Sequence, residues 1–259
     1  MYRVCLTNDD GPRSEGLLKL AESLMKVVEV IVVVPDGQRS ATGKTLTLKR
    51  PIRITEKHDT NGYQFVSHDG APADSVILAQ AFYENIDLLI SGINSGANVG
   101  YQSMLTSGTV GAAFEAAIRG LPSIAVSRQA SPEEWFEAIG ADGDCEKMCE
   151  IITELVMRVL KKGMPKGIDM LNLNFPNKLS EDSKLVITKP TKVRMHNEVE
   201  ERKDPMGRPY YWYLGIERDP LPKSDAYEVF IHGNISLSPV ILDWITEKEV
   251  ETLEEFMKD

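Results

Sequence analysis

The sequence predicts a doubly wound α/β fold with a mainly parallel sheet. Short β-branched runs alternate with amphipathic helical patterns through the first two thirds of the 259 residues, and this alternation is typical of parallel α/β sheets. The run EVIVVVP, residues 29–35, is almost entirely apolar, which indicates a strand that is buried on both faces. From about residue 184 the chain is rich in strand residues, charges and prolines without a helical period, so a different element is expected there.

The elements are predicted in chain order from their periodicity. RVCLT, residues 3–7, indicates a strand, and SEGLLKLAESLMKV has apolar residues at three- and four-residue spacing, which predicts a helix capped by Ser14. TLTLKRPIRITE and GYQFVSH alternate between polar and apolar residues and predict a β excursion. The remaining predictions are the helices APADSVILAQAFYE, TVGAAFEAAIRG and EEWFEAIGADGDCEKMCEIITELVMRVLKK, the last broken around residues 140–143, and the strands IDLLISG, LPSIAVS and IDMLNLNFP.

The last part of the chain is predicted to form a projecting β-hairpin arm. DPMGRP, residues 204–209, is typical of a turn between two strands. The aromatic group that follows it is unfavourable in water alone: Tyr210, Tyr211, Trp212 and Tyr213. It could pack on the protein's own body or on a second subunit, and the second is favoured because such arms often exchange between subunits. We therefore expect a core of residues 1–183, an arm of residues 184–235 and a C-terminal helical segment of residues 236–259.

Composition disfavours several classes of function. The chain carries 39 acidic and 29 basic side chains, a net charge of -10, which argues against a nucleic-acid groove or an anionic membrane surface as its main partner. No apolar stretch approaches the ~20 residues of a membrane span, and no basic-then-apolar leader opens the chain. A cytoplasmic protein is therefore expected.

The cysteines and histidines limit the kinds of metal site. Three cysteines, Cys5, Cys145 and Cys149, cannot all pair, and we interpret them as buried or incidental thiols. Only four histidines occur, and they are widely scattered, so a His-rich zinc centre is disfavoured. If a metal is bound, hard oxygen ligands and therefore magnesium, manganese or calcium are expected.

Two adjacent acids follow the first predicted strand. Asp9 and Asp10 stand in TNDDG directly after the apolar run. Acids suit turns and the N-terminus of a following helix, whereas two in a row repel each other unless a cation or several donors lie between them. From this stretch alone, a helix cap and a cation site are about equally favoured.

Other polar loops also follow predicted strands, and in a doubly wound sheet they meet at one edge, where ligands bind. Asn94 and Asn98 lie among glycines in SGINSGANVG, and amide carbonyls can complete an oxygen shell around a hard cation. Ser107, Gly108 and Thr109 precede a predicted helix; such residues form a phosphate cradle, although Ser and Thr are also ordinary caps. Beside two carboxylates, these loops predict a metal-assisted phosphate site.

The segment GQRSATGKT departs from a Walker phosphate loop. Gly37 and Gly43 are separated by five residues, where that motif needs four between its first glycine and the GK pair. Lys44 leads into an alternating, strand-like run, whereas the true motif opens a helix. An ATPase is therefore disfavoured.

In its motifs and their order, the sequence resembles the stationary-phase survival protein SurE family of metal-dependent nucleotidases. The matching motifs, which cover nearly the whole chain, are TNDDG, RSATG, PADSV, DLLISGINSGANVG, SGTVGAAFEAA, PSIAVS, LNLNFP and SDAYEVFIHGNISLSP. Two positions depart from the family's pattern. Thr106 stands where members often have His before SGT, and GAPAD stands where they often have GTPAD.

The resemblance implies a fold, an activity and a set of site residues. It implies a Rossmann-like core, homodimers or homotetramers with an exchanged C-terminal arm, and a 5'-nucleotidase acting on nucleoside monophosphates, with 3'-nucleotides and polyphosphate as further candidate substrates. One divalent ion per subunit, Mg²⁺ or Mn²⁺, is implied at the positions that match the family's ligands: Asp9, Asp10, Ser40 and Asn94. The positions that match the phosphate side are Asn98, Ser107, Gly108 and Thr109.

The expected chemistry is direct attack by a metal-activated water, because a metal polarises phosphate and lowers the pKa of bound water. Asp9 or Asp10 would orient that water, while Asn98 and residues 107–109 hold the phosphate. A covalent aspartyl-phosphate is the competing mechanism. Two other classes stay open, a nucleotide-binding regulatory module without turnover and a structural oligomer, and the latter leaves the clustered polar loops without a role.

Overall fold

The main feature of the protein is a nine-stranded sheet with helices on both faces. The computed structural model describes residues 1–60, 62–130, 144–192, 195–217, 220–243 and 245–258. The strands are β1 (Arg3–Thr7), β2 (Glu29–Pro35), β3 (Ile54–Thr60), β4 (Tyr63–His68), β5 (Leu88–Ser95), β6 (Ser123–Arg128), β7 (Met170–Phe175), β8 (Leu185–Ile187), β9 (Met195–Lys203), β10 (Pro209–Glu217) and β11 (Ile235–Val240). The helices are α1 (Glu15–Leu24), α2 (Pro72–Phe82), α3 (Gly100–Thr106), α4 (Gly108–Ile118), α5 (Asp144–Lys162), α6 (Asp225–Phe230) and α7 (Glu247–Phe256).

The strand order places a topological switch point at the centre of the sheet. The order is β3-β4-β2-β1-β5-β6-β7-β11-β8. The six neighbouring strands β4, β2, β1, β5, β6 and β7 are parallel, whereas β3 is antiparallel to β4 and β11 is antiparallel to β7. The six parallel strands therefore follow the Rossmann order, and ligands of such sheets bind where the order reverses. The prediction of a Rossmann-like, mainly parallel doubly wound sheet is confirmed, and the reversal lies between β1 and β5.

Alternate residues of the central strands face two cores. In β1, Val4 and Leu6 pack with residues of α1 and α5 on one face, whereas Cys5 packs with residues of α2 and α4 on the other. Successive side chains of a strand point to opposite faces, so an apolar run such as EVIVVVP is the pattern that such a central position requires. The three cysteines are free and buried, which confirms that they are buried thiols.

Some predicted elements differ from the observed ones. The alternating run of residues 45–56 becomes a strand only at Ile54, because Asp74 at the start of α2 accepts a hydrogen bond from the Thr47 backbone N–H at 3.1 Å and Pro51 interrupts the run. Helix α3 was not predicted at all. Ser14 precedes α1 as expected, but its side chain makes no capping hydrogen bond. The part of the predicted helix over residues 131–143, with its break, lies outside the described residues.

The observed hairpin is shorter than the predicted arm of residues 184–235. Strands β9 and β10 form a separate antiparallel sheet, whose turn is closed by the Gly207 N–H donating to the Asp204 carbonyl at 2.9 Å. Strand β8 instead pairs with β11, which itself pairs with β7, because their apolar residues extend the main sheet. The segment of residues 236–259 accordingly begins with the rest of β11, and its helix begins only at Glu247. The division into domains stays a prediction.

Within the described ranges, none of the helices combines the length and the apolar character that crossing a membrane requires.

His68, at the end of β4, is a buried neutral imidazole. Its Nδ1 accepts a hydrogen bond from the Gly70 N–H at 3.0 Å, so Nε2 carries the proton and donates to Ser75 Oγ at 2.8 Å. Burial lowers the pKa of His68 from its ordinary value of 6.5 to about 4. Between these two pH values the unfolded chain binds a proton that the folded chain does not, so folding stability falls as pH falls.

We therefore expect the wild-type protein to lose up to about 3 kcal/mol of folding free energy between about pH 6.5 and about pH 4 through His68. The raised pKa of Asp10 acts in the opposite direction over the same range, so the loss is measured by urea unfolding as the difference between wild type and His68→Gln, which lacks the contribution because glutamine does not titrate there. His58→Gln, at an exposed position of β3, is the control and should keep the wild-type dependence. An unchanged pH dependence in His68→Gln would contradict the assignment.

Candidate functional site

Asp9 is a buried carboxylate held by the N-terminus of helix α4. Its side chain is 4% exposed. Oδ1 accepts a hydrogen bond from the Thr109 hydroxyl, and the backbone N–H groups of Gly108 and Thr109 also donate to the carboxylate. Asp9 therefore has a fixed orientation at the carboxyl end of β1, where the partial positive charge of α4 favours an anion.

Asp10 is the second acid of the site, and its surroundings oppose its charge. Burial and then the neighbouring charge of Asp9 raise the pKa of Asp10 to about 7, although the Ser95 backbone N–H donates a hydrogen bond that acts in the opposite direction. Burial also raises the pKa of Asp9, against its hydrogen bonds from Thr109 and Gly108. Two such carboxylates disfavour each other's charged form, and a divalent cation between them removes that cost.

The loop after β2 brings Ser40 to the Asp9 loop. The Arg39 backbone N–H donates to the Asp9 carbonyl at 2.6 Å. Ser40 is the residue after Arg39, so it follows directly on this hydrogen bond. The Ser40 side chain is exposed, and its Oγ accepts a hydrogen bond from Gln38 Nε2 at 3.0 Å. The hydrogen bond of Arg39 thus places the loop that carries Ser40 beside the backbone of Asp9.

The same loop contacts helices α3 and α4 through a hydrogen bond and an ion pair. The Gly43 N–H donates to the Thr106 carbonyl at 2.8 Å, and Lys44 Nζ lies 2.5 Å from the buried Glu115 Oε2. A Cβ added at Gly111 would lie 2.3 Å from the Gly43 carbonyl oxygen, so only glycine allows α4 to approach the loop this closely. These links hold the loop of Ser40 against the N-terminal half of α4.

Asn94 lies at the end of β5, across the switch point from Asp9. Its Nδ2 donates to the Gly96 carbonyl at 2.6 Å, which commits the amide nitrogen and leaves Oδ1 as the atom that can bind a cation. The next residue, Ser95, donates its N–H to Asp10. The structure therefore brings the loops of all four predicted metal ligands together: Asp9, Asp10, Ser40 and Asn94.

Asn98 is held by a buried polar network that the sequence did not reveal. Its N–H donates to Asn174 Oδ1 at 2.8 Å, its Nδ2 donates to Ser127 Oγ at 2.8 Å, and its carbonyl accepts from Asn172 Nδ2 at 2.9 Å. Ser127, Asn172 and Asn174 are each fully buried. The alternation of Leu and Asn in LNLNF is the signal that could have found the last two, since it places both amides on one face of β7.

Residues 107–109 form the N-terminal turn of α4, as the sequence predicts, but their groups have local partners. Ser107 Oγ accepts a hydrogen bond from the Val110 N–H at 3.2 Å, so it is the helix cap. Gly108 allows a close approach, because an added Cβ would lie 2.9 Å from Asp9 Cβ. The Thr109 hydroxyl is directed at Asp9. The turn thus supports the first acid directly, and its contact with phosphate stays a prediction.

The donor chemistry of the site fits a hard divalent cation. Among the described residues there is no group of three or more His, Cys, Asp or Glu side chains that could hold a metal ion. A cation at this edge would have to be held by the two carboxylates together with neutral oxygens such as those of Ser40 and Asn94. Such oxygen donors suit magnesium or manganese rather than zinc.

Comparisons with known proteins agree with this fold and with these motifs. The family model described as Survival protein SurE matches residues 4–197. A protein named 5'-nucleotidase SurE from Thermococcus gammatolerans is 40% identical over 255 residues, 97% of this chain and 94% of the relative. One of the same name from Pyrobaculum arsenaticum is 38% identical over 242 residues, 93% of this chain and 90% of the relative.

A solved structure extends the agreement to three dimensions. The crystal structure of the SurE protein from Aquifex aeolicus matches with a TM-score of 0.80 and 31% identity, and the match covers 99% of this chain and 100% of that one. The sequence motifs, the switch-point site and these matches span most of the chain. The chain therefore belongs to the SurE family of survival proteins.

Proposed function

We propose that this protein is a divalent-metal-dependent 5'-nucleotidase, a phosphomonoesterase that converts nucleoside monophosphates to nucleoside and phosphate. The observation that carries the proposal is the pair of adjacent acids, the buried Asp9 and the partly buried Asp10, in a loop that meets the loops of neutral oxygen donors at the switch point of the sheet. Relatives that match more than nine tenths of the chain carry the name 5'-nucleotidase SurE. The 3'-nucleotides and polyphosphate are further candidate substrates of the same site.

The metal ligands in this proposal are Asp9, Asp10, Ser40 and Asn94, which hold one Mg²⁺ or Mn²⁺ per subunit. When bound, the ion would polarise a phosphoryl oxygen and lower the pKa of a bound water. Asn98 and the turn of residues 107–109 bind the substrate's phosphate, because the Ser107 hydroxyl, which accepts from Val110, can also donate, and the Asn98 amide has a second N–H beside the one that contacts Ser127. The buried network around Asn98 fixes that residue before substrate arrives.

Direct attack by water is the mechanism that the geometry favours. Asp9 accepts hydrogen bonds from the Thr109 hydroxyl and from two backbone N–H groups, and these bonds engage electron pairs that an attack on phosphorus would need. Asp9 or Asp10 orients the attacking water. A covalent aspartyl-phosphate would instead leave labelled phosphate on the protein after acid quenching during turnover, and we expect no such label.

The test of the function is phosphate release from a panel of 5'- and 3'-nucleoside monophosphates by chelator-stripped protein, with and without Mg²⁺ or Mn²⁺. We expect release only with metal and graded by nucleotide. Tight nucleotide binding without release at any metal would instead establish the alternative, a catalytically silent nucleotide-binding regulatory protein on the same fold. Equal release with and without metal would contradict the metal assignment.

The proposed assembly is a homodimer or homotetramer through the β9–β10 hairpin. The hairpin forms a sheet of its own, and Tyr211, Trp212 and Tyr213 on it are all more than half exposed. Helix α7 likewise has no buried residue. Light scattering of a variant in which residues 195–217 are replaced by a short Gly-Ser linker should show a smaller assembly than wild type, and an unchanged mass would contradict the proposal.

A further inference from the structure

The two ends of the segment that carries the hairpin meet at the first turn of helix α3. The Gly100 N–H donates to Asp225 Oδ2 at 2.6 Å, and the next N–H, that of Tyr101, donates to the Thr191 carbonyl at 2.8 Å. Thr191 precedes β9, and Asp225 follows β10. The first two N–H groups of helix α3 therefore donate to one residue that precedes the hairpin in the chain and one that follows it.

These two ends are themselves joined. Lys189 forms an isolated parallel bridge with Ser224, and the Asp225 N–H donates to the Lys189 carbonyl at 3.3 Å. Val99, just before α3, packs in a buried cluster with Ala226 and Val229 of α6. We call residues 188–191 and 224–230 the arm base. The arm base is one connected unit, and it contacts the start of α3 through both polar and apolar groups.

Helix α3 connects the arm base to the phosphate side of the site. Asn98 lies two residues before its first residue, Gly100, and Ser107 follows its last residue, Thr106. The Thr106 carbonyl also accepts the hydrogen bond of Gly43 from the loop that carries Ser40. Since a seven-residue helix is about 10 Å long and stiff, a shift at its first turn is transmitted to Asn98 and Ser107.

Asp225 joins α3 and α6 through both oxygens of its carboxylate. The residue is fully buried, its Oδ2 accepts from Gly100 and its Oδ1 accepts from the Ala226 N–H at 2.8 Å. Its carboxylate thus lies at the N-termini of both α3 and α6, where a negative charge is favoured. An amide in its place would direct an NH₂ group at one of the two backbone donors.

We propose that Asp225 is a positioning residue for hydrolysis, which holds α3 on the arm base and thereby places Asn98 and Ser107 for the substrate's phosphate. The inference rests on the proposed function. It makes the C-terminal segment a part of the catalytic architecture as well as of the assembly. Asp225 contacts the first turn of α3, next to Asn98, whereas the loop of Ser40 contacts the opposite end of the helix. Its loss should therefore affect binding of the nucleotide and have little effect on the metal ligands.

The test compares Asp225→Ala and Asp225→Asn with Glu228→Gln. Glu228 is a matched control, since it is an acid on the same helix α6 whose carboxylate accepts from Asn234 Nδ2 at 2.8 Å. Hydrogen exchange over residues 98–109 should become faster in both Asp225 variants and stay at the wild-type rate in Glu228→Gln. The kcat/KM for a nucleoside monophosphate should fall at least about tenfold in the Asp225 variants, with the half-saturating metal concentration unchanged.

Several outcomes would overturn the proposal. Wild-type exchange and wild-type kcat/KM in Asp225→Ala would do so, and so would equal losses in Glu228→Gln. A rise in the half-saturating metal concentration would indicate a general loosening of the site. If Asp225→Ala does not fold, the same criteria are applied to Asp225→Asn. Hydrogen exchange needs no substrate, so a failure of the proposed function would show separately, as absent phosphate release by the wild-type protein.

Discussion

Asp9→Asn should reduce metal-dependent phosphate release by on the order of a thousandfold or more, because the ion that Asp9 is proposed to hold would supply several kcal/mol of transition-state stabilisation. The substitution keeps the size of the side chain but removes its charge. Burial raises the pKa of Asp9 in the metal-free protein, so a neutral side chain there removes a desolvation cost. The metal-free variant should therefore unfold at a temperature at or above that of the metal-free wild type. Added Mn²⁺ should raise the unfolding temperature of the variant less than it raises that of the wild type.

The control is Asp87, an acid just before β5 that contacts the opposite end of β1 from Asp9. Asp87 Oδ2 accepts a hydrogen bond from the Arg3 N–H at 2.7 Å, so Asp87→Asn perturbs the start of β1 without touching the site. We expect it to keep wild-type turnover. Turnover of Asp9→Asn at the rate of Asp87→Asn would remove Asp9 from the site.

Gly108→Ala is the second substitution for which we expect a large loss of activity. An alanine Cβ there would lie 2.9 Å from Asp9 Cβ, 2.9 Å from Thr42 Oγ1 and 3.0 Å from Asp9 Oδ2. Alanine is favoured over glycine inside a helix, but here its methyl group displaces the first acid. Since misplacement of a catalytic group by about 1 Å can cost a hundredfold, kcat/KM should fall by about that factor, and the protein should bind metal more weakly in calorimetry.

Gly120→Ala separates this effect from a general loss of stability. Gly120 follows α4 with a φ of +75°, and nothing lies within 4 Å of an added Cβ. Alanine in that conformation costs about 1 kcal/mol or slightly more, so Gly120→Ala should unfold more easily yet keep its turnover. If Gly108→Ala were as active as Gly120→Ala, the close approach of α4 to Asp9 would have no catalytic importance.

The central sheet could be predicted from sequence because each buried strand has a local signature. EVIVVVP and LPSIAVS are β-branched, apolar and followed by polar loops, and the structure has strands at both. Helix α3 lacks such a signature. It begins at Gly100, and its first two N–H groups donate hydrogen bonds to Asp225 and Thr191. Both acceptors lie at least about ninety residues further along the chain. Propensity carries no information on such distant partners.

The same difference between local signatures and distant partners explains which site residues the sequence predicts. Asp9 and Asp10 lie just after β1 and Asn94 lies at the end of the neighbouring β5, so the sheet topology alone brings them to one edge. Ser127 and Asn172 contact Asn98 only because β5, β6 and β7 are neighbours in a particular register. Periodicity identifies strands but not their register, and these supporting residues therefore came only from the structure.

In the proposed mechanism, hydrolysis requires one divalent ion at the Asp9–Asp10 site. The most direct measurement is phosphate release from a nucleoside 5'-monophosphate by chelator-stripped protein as Mn²⁺ is titrated in, at a protein concentration well above the metal dissociation constant. A site for one essential ion should give no release without metal and a linear rise that saturates at one ion per chain. Full release by the stripped protein, or none at any metal concentration, would contradict it.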